Sequence, residues 1–139
     1  MKLGIIGCGD AGAQICRSAL AAGHDLIACT DPTRTQTGTV AKLTGAKSAT
    51  WEKLLATPYL DAIAIATPTS TQAAYILDAL KAKRPVLLTA PLCRTASEAN
   101  AIRKAARTAK VPVTVASCGV EVRAIDTLLT QYKSLRVGK

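Results

Sequence analysis

Two kinds of residue in this chain could do chemistry: three closely spaced glycines and the carboxylates beside them. The glycines lie in Gly7-Cys8-Gly9-Asp10-Ala11-Gly12, a G-x-G-x-x-G spacing. The apolar run before them, residues 2–6, reads as a buried strand, and residues 13–20 read as a helix. In a strand, turn, helix context each glycine has a task. Gly7 permits the tight turn out of the strand, Gly9 lets a pyrophosphate approach the backbone, and Gly12 lets the helix pack close to the strand. The helix start, with the amides of Asp10 and Ala11, offers free N–H groups and the positive end of the helix dipole to phosphate. Asp31 closes a second strand-like run, residues 25–30, and lies 19 residues after Gly12. That is close to the spacing of a carboxylate that accepts hydrogen bonds from an adenosine ribose. The expected ligand is a dinucleotide, NAD rather than NADP, because a carboxylate at position 31 opposes a 2′-phosphate. Arg34, three residues on, could receive that phosphate, so the preference is modest. Asp10 puts a charge inside the loop. It reads either as an N-cap pointing aside or as a carboxylate that repels the pyrophosphate and weakens binding, even to the point that no cofactor is held.

Positioning these groups takes strands alternating with helices. After Asp31, residues 33–39 are polar, contain Gly38 and read as loop; residues 40–43 suggest a helical turn ended by Gly45. Residues 47–49 suggest a brief strand, and residues 50–55 a short helix with Thr50 as its N-cap. Residues 61–66 form a continuous apolar run, as in a parallel strand covered on both faces, and end in Thr67-Pro68. A helix over 69–82, a strand over 84–89 and a helix over 95–109 follow, the last opened by Thr95 and Glu98 at capping-box spacing. Residues 111–116 read as a final strand, with Pro112 suggesting an edge. A last helix is expected at about 120–136. The whole predicts a single α/β domain, 1–139, of Rossmann type: a doubly wound parallel sheet in three α/β/α layers. Right-handed crossovers then bring residues 7–12, Asp31, Thr67, Pro68, Ala90 and Pro91 to one crevice at the strand C-termini.

Composition narrows the function classes. Hydrophobic residues make up 49% of the 139 and aromatics only 3%, with no Phe, so the core must be built from Ala, Leu, Ile and Val. The five cysteines form no C-x-x-C pair and read as buried reduced thiols; the one histidine, His24, reads as a loop residue. No metal site is suggested. No apolar run approaches a membrane span and no signal segment is evident, so the expected location is the cytoplasm, without membrane contact. Residues 1–80 are charge-balanced, and the whole net charge of +9 comes from residues 81–139. Arg103, Lys104, Arg107 and Lys110 fall on one expected helix as a solvated face. Without a nucleic-acid motif or stacking aromatics, nucleic acid is not an expected partner.

Taken together, these residues are similar to the N-terminal domain of the Gfo/Idh/MocA oxidoreductases, the group of glucose–fructose oxidoreductase and inositol dehydrogenase. The resemblance rests on residues 4–9, on Asp31-Pro32, on the run from Asp61 to Pro68, on Pro91-Leu92 after a strand, and on the ending Leu135-Arg136-Val137-Gly138-Lys139. It implies NAD(P) binding through the positions above. It also shows departures. The family's Glu-Lys-Pro, whose lysine is assigned to proton transfer or substrate polarisation, reads Thr89-Ala90-Pro91 here. Alanine at 90 can do neither, so no catalytic residue carries over. The family's Asn-x-x-His reads Thr69-Ser70-Thr71-Gln72, and its Gly-Phe stretch reads Ala116-Ser117-Cys118-Gly119. Family members continue into a second domain where this chain stops. Three readings result. The first is a cofactor-binding domain with a sensing or assembly role, and not itself an enzyme. The second is a scaffold that binds no nucleotide and self-associates as a homodimer through the last strand and final helix. The third is a small oxidoreductase completed by a partner chain, with Thr67, Thr69, Gln72, Thr89 and Cys93 as candidate groups.

Overall fold

The computed structural model describes residues 1–116. The sheet holds β1 (Lys2–Ile6), β2 (Asp25–Thr30), β3 (Lys47–Ser48), β4 (Ala62–Ile65), β5 (Val86–Thr89) and β6 (Val113–Ala116). Its order is β3-β2-β1-β4-β5-β6 and every pairing is parallel. The chain runs outward from β1 to β3, then crosses back to lay β4 on the other side of β1. Leu3 pairs with Ala62 and Ile6 with Ile65 across that seam, while Ile6 pairs with Thr30 on the opposite side. The strand order therefore reverses between β1 and β4, the place where open parallel sheets form ligand crevices.

The helices are α1 (Asp10–Ala21), α2 (Arg34–Thr44), α3 (Trp51–Leu55), α4 (Thr69–Lys81) and α5 (Ala96–Ala109). Cys16 of α1 and Val40 of α2 pack with Leu3, Ile5 and Cys29 on one sheet face. Leu54, Ile76, Leu80 and Ile102, from α3, α4 and α5, pack with Ile63, Ile65 and Leu88 on the other. This is a three-layer Rossmann fold, and all four β4 residues are buried, as the unbroken apolar run required. Each fully buried Ile or Leu contributes roughly 1.5–3 kcal/mol, so aliphatic side chains suffice without phenylalanine.

The expected loop over 33–39 is a correction. Those residues open α2, which runs from Arg34 and carries Gly38 inside it. The threonines and Gly38 are weak helix formers, but burial of Thr37 and Val40 against the sheet overrides local preference. The Thr39 and Thr44 hydroxyls bond back to the carbonyls four residues earlier, at 3.2 and 2.8 Å, which removes their competition with the helix. Gly45 ends α2 in the left-handed conformation, φ 74°, as expected. Thr50 caps α3 and Thr95 caps α5 through its contact with the Glu98 amide at 3.1 Å. Among the described residues β6 is an edge strand, preceded by Pro112. The expected helix at 120–136, Cys118 and the basic ending lie outside the described residues.

Arg84 has a structural role that its place before β5 did not suggest. Its guanidinium donates to the carbonyls of Leu55, Leu60 and Thr57 at 3.2, 3.1 and 2.9 Å. These fix the irregular path from α3 into β4, where loop carbonyls would otherwise lack partners.

Candidate functional site

A cleft of about 500 Å³ opens at the C-terminal ends of β1, β2 and β4. Of the residues singled out in the sequence, it brings together Gly7, Gly9, Asp10, Ala11, Asp31, Thr67 and Pro68. Gly12 lies beneath the loop, and Arg34 begins α2 close by in sequence. Ala90 and Pro91 follow β5, one strand further out, and do not line this cleft.

The three glycines serve different needs. Gly7 has φ 92°, and a Cβ there would sit 2.5 Å from the Ala66 carbonyl. At Gly12 a Cβ would strike the Gly7 carbonyl oxygen. The protein itself demands both glycines. At Gly9 a Cβ would meet nothing nearer than the Gln36 Oε1 at 3.9 Å. The space above Gly9 is thus open to the cleft, a cradle that a side chain would fill. Gly9 is also the residue that caps α1, and Ala13 is the first amide to bond back to it, at 2.8 Å. The amides of Gly9, Asp10 and Ala11 find no acceptor among the described residues. An anion can take their place. The N-cap reading of Asp10 is corrected: Gly9 holds that position, and Asp10 is an exposed carboxylate in the first turn, on the cleft wall.

Asp31 is half-buried, and both of its oxygens are engaged. Its Oδ2 accepts the Cys8 N–H at 2.7 Å and its Oδ1 accepts the Thr33 N–H at 2.6 Å. Each oxygen keeps a further lone pair for a hydroxyl group. The Cys8 thiol lies under the loop, 3.4 Å from the Thr30 carbonyl. A hydrogen-bonding contact with Cys29, then burial, push this thiol well above the ordinary cysteine range. Burial pushes Cys16 up to about 11. Cys8, Cys16 and Cys29 are free and buried; Cys8 and Cys16, held protonated at neutral pH, pack as small apolar groups rather than nucleophiles.

The opposite wall comes from the β4–α4 junction. Thr67 Oγ1 and Gln72 Oε1 are buried, and neither has a hydrogen-bond partner among the described residues. Thr71 and Tyr75 of α4 line the same cleft as Pro68, following the i, i+3, i+7 rhythm of one helix face. Pro32, Thr33 and Gln36 complete the β2–α2 end. The sequence reading missed Tyr75 and Gln36; the helical rhythm from Pro68 points to the first, but the misread α2 hid the second. Of the groups weighed for catalysis, Thr67 alone lines the cleft.

Strand order 3-2-1-4-5-6, a glycine loop entering a helix at the switch point, and a carboxylate closing β2 define a dinucleotide-binding Rossmann domain. Residues 1–117 match the family model described as "Oxidoreductase family, NAD-binding Rossmann fold". The chain belongs to the Gfo/Idh/MocA oxidoreductase family, of which residues 1–117 form the NAD-binding Rossmann part. It is 31% identical over 101 residues to an inositol 2-dehydrogenase of Acidothermus cellulolyticus, which covers 70% of this chain and 30% of that protein. Among solved structures, a UDP-N-acetylglucosamine 3-dehydrogenase of Acidithiobacillus ferrooxidans is 28% identical with TM-score 0.76, over 83% of this chain and 38% of that one. An NAD-binding protein of Listeria innocua is 27% identical with TM-score 0.77, over 82% and 34%. The chain thus spans about a third of the length of these relatives. Among the described residues no helix is long and apolar enough to cross a membrane.

Proposed function

We propose that this chain binds NAD(H), in preference to NADP(H), across Gly9 and Asp31, and that it acts as a cofactor-binding domain without the family's proton-transfer group. The observation that carries the reading is the contrast among the glycines. The fold requires Gly7 and Gly12, whereas the space at Gly9 serves no packing need and faces unpaired amides. In this reading the amides of residues 9–11 hold the pyrophosphate, Asp31 accepts the adenosine ribose hydroxyls, and Thr67 and Pro68 border the nicotinamide side. The bound nicotinamide would supply hydride chemistry. Ala90 contributes no proton donor, so any turnover draws its acid or base from elsewhere.

Two finer readings accompany this. NAD is favoured over NADP because Asp31 is anchored at the point a 2′-phosphate would occupy. Self-association as a dimer is supported by β6, which among the described residues is an edge strand with Thr114, Val115 and Ala116 exposed, since such edges invite pairing. Light scattering at tens of micromolar tests the dimer; a strictly monomeric mass contradicts it. Calorimetric titration with NADH and NADPH tests the main reading. Saturable binding with NADH the tighter ligand supports it, and no heat or thermal shift at millimolar cofactor removes it. Turnover of NADH on a carbonyl or sugar panel by the chain alone would replace it with the small-enzyme reading.

A further inference from the structure

The carboxylate assigned above to the ribose is also the side chain that holds the glycine loop. Leaving Gly7, the loop is tied to β2 by the Gly7 N–H to the Thr30 carbonyl at 3.1 Å. The next amide, that of Cys8, turns away from the backbone ladder and donates to Asp31 Oδ2 at 2.7 Å. Among the described residues it is the one loop amide held by a side chain. Immediately after it come Gly9, Asp10 and Ala11, which line the cleft and whose amides have no acceptor among the described residues. Asp31 is itself anchored from the far side by the Thr33 N–H at 2.6 Å. Both contacts are short and join an amide to a charged acceptor, the stronger class of hydrogen bond. A chain of two bonds therefore runs from the start of α2, through one carboxylate, to the residue between the first two glycines.

We propose that Asp31 is a positioning residue for the pyrophosphate cradle, independent of any contact with ribose. It sets the direction of the Gly7–Cys8 peptide, the unit that leads into Gly9, and so aims the three free amides that follow. This rests on the dinucleotide reading above for the identity of the ligand, but the bond it invokes exists without ligand. The proposal opposes simple electrostatics. Removing a negative charge beside an anion site should tighten anion binding; removing the clasp should loosen it.

Inorganic pyrophosphate, which has no ribose and no base, separates the two. With the full 139-residue chain, Asp31→Ala is expected to weaken pyrophosphate about tenfold despite the lost negative charge. Asp31→Asn offers one acceptor oxygen where Asp31 uses two, keeps at most one of the two contacts, and is expected to fall between wild type and Asp31→Ala. In ligand-free protein, amide hydrogen exchange at Cys8 is expected to speed up most in Asp31→Ala and less in Asp31→Asn, in the same order as the losses of pyrophosphate affinity. Equal or tighter pyrophosphate binding by Asp31→Ala, or unchanged exchange at Cys8, overturns the proposal. If wild type binds pyrophosphate but not NADH, the dinucleotide reading fails and the clasp stands. If wild type binds no pyrophosphate, the cradle itself is refuted. Should Asp31→Ala not fold, the Asn variant decides alone: faster exchange at Cys8 with pyrophosphate affinity unchanged contradicts the clasp.

Discussion

The two walls of the cleft differ in how their side chains are satisfied. On the β1–β2 wall, Asp31 has both oxygens bonded, the Cys8 thiol is packed against Thr30, and Gly7 is wedged against Ala66. On the β4–α4 wall Thr67 Oγ1 is buried with no partner among the described residues, and so is Gln72 Oε1 of α4, which does not itself line the cleft. The side chains of the first wall are satisfied before anything binds, its free backbone amides being those offered to an anion, whereas the second holds buried polar side-chain atoms at a cost. The same division runs through the chemistry. The complete wall is the one that suits pyrophosphate and ribose. Beyond the incomplete wall, β5 is followed by Ala90 where the family resemblance calls for lysine.

Breaking the complete wall has the largest expected effect. Gly12→Ala places a methyl group on the Gly7 carbonyl oxygen, and neither backbone segment can yield without moving α1 off the sheet. A loss of about 3–5 kcal/mol is expected by chemical denaturation; a loss below 1 kcal/mol would show that the loop is softer than described. On the other wall the sign reverses. Thr67→Val and Gln72→Met replace unpartnered buried oxygens with apolar groups of similar size. Each is expected to leave stability unchanged or raise it by about 1 kcal/mol, read as a higher denaturation midpoint. A loss of 2 kcal/mol or more in either would mean, on the usual scale of buried polar groups, that its oxygen is satisfied in solution and that the walls do not differ.

The smallest effect serves as a reference away from both walls. The Arg94 backbone N–H, together with the Arg94 side chain, holds the Glu98 carboxyl below the ordinary glutamate range. A depressed folded value means the contribution is present at neutral pH and is lost as pH falls through that lowered value. Glu98→Gln should therefore melt slightly lower than wild type at pH 7, and the two should converge in acid. A difference that grows on acidification would contradict the assignment.

Much of this was legible in the residues, for physical reasons. The apolar run of β4, the capping residues Thr50 and Thr95, and the glycine loop are local signals, each decided within a few positions. The start of α2 was not legible. Its threonines and Gly38 favour a loop, and only packing of Thr37 and Val40 on the sheet makes it a helix. Arg84 likewise looks unremarkable in sequence, because its three carbonyl partners lie 24 to 29 residues away. At the site, spacing identified Gly9 and Asp31 and gave the three glycines separate tasks, without the distances that enforce them. The backbone geometry separates the two that the fold needs from the one that it does not. Nor could spacing show that Asp31 reaches back to Cys8, since a contact across 23 residues follows only from the parallel pairing of β1 with β2.

The central claim is that the room at Gly9 is kept for a dinucleotide. Titration of NADH into wild type and Gly9→Ala, with thermal melts of both ligand-free proteins, tests it most directly. Wild type is expected to bind saturably. Gly9→Ala is expected to melt within about 1 kcal/mol of wild type, the ordinary range for a substitution that meets no neighbour, yet to bind NADH at least about tenfold more weakly, 1.4 kcal/mol or more. Equal binding by the two proteins, or no binding by wild type at millimolar NADH, would contradict the account.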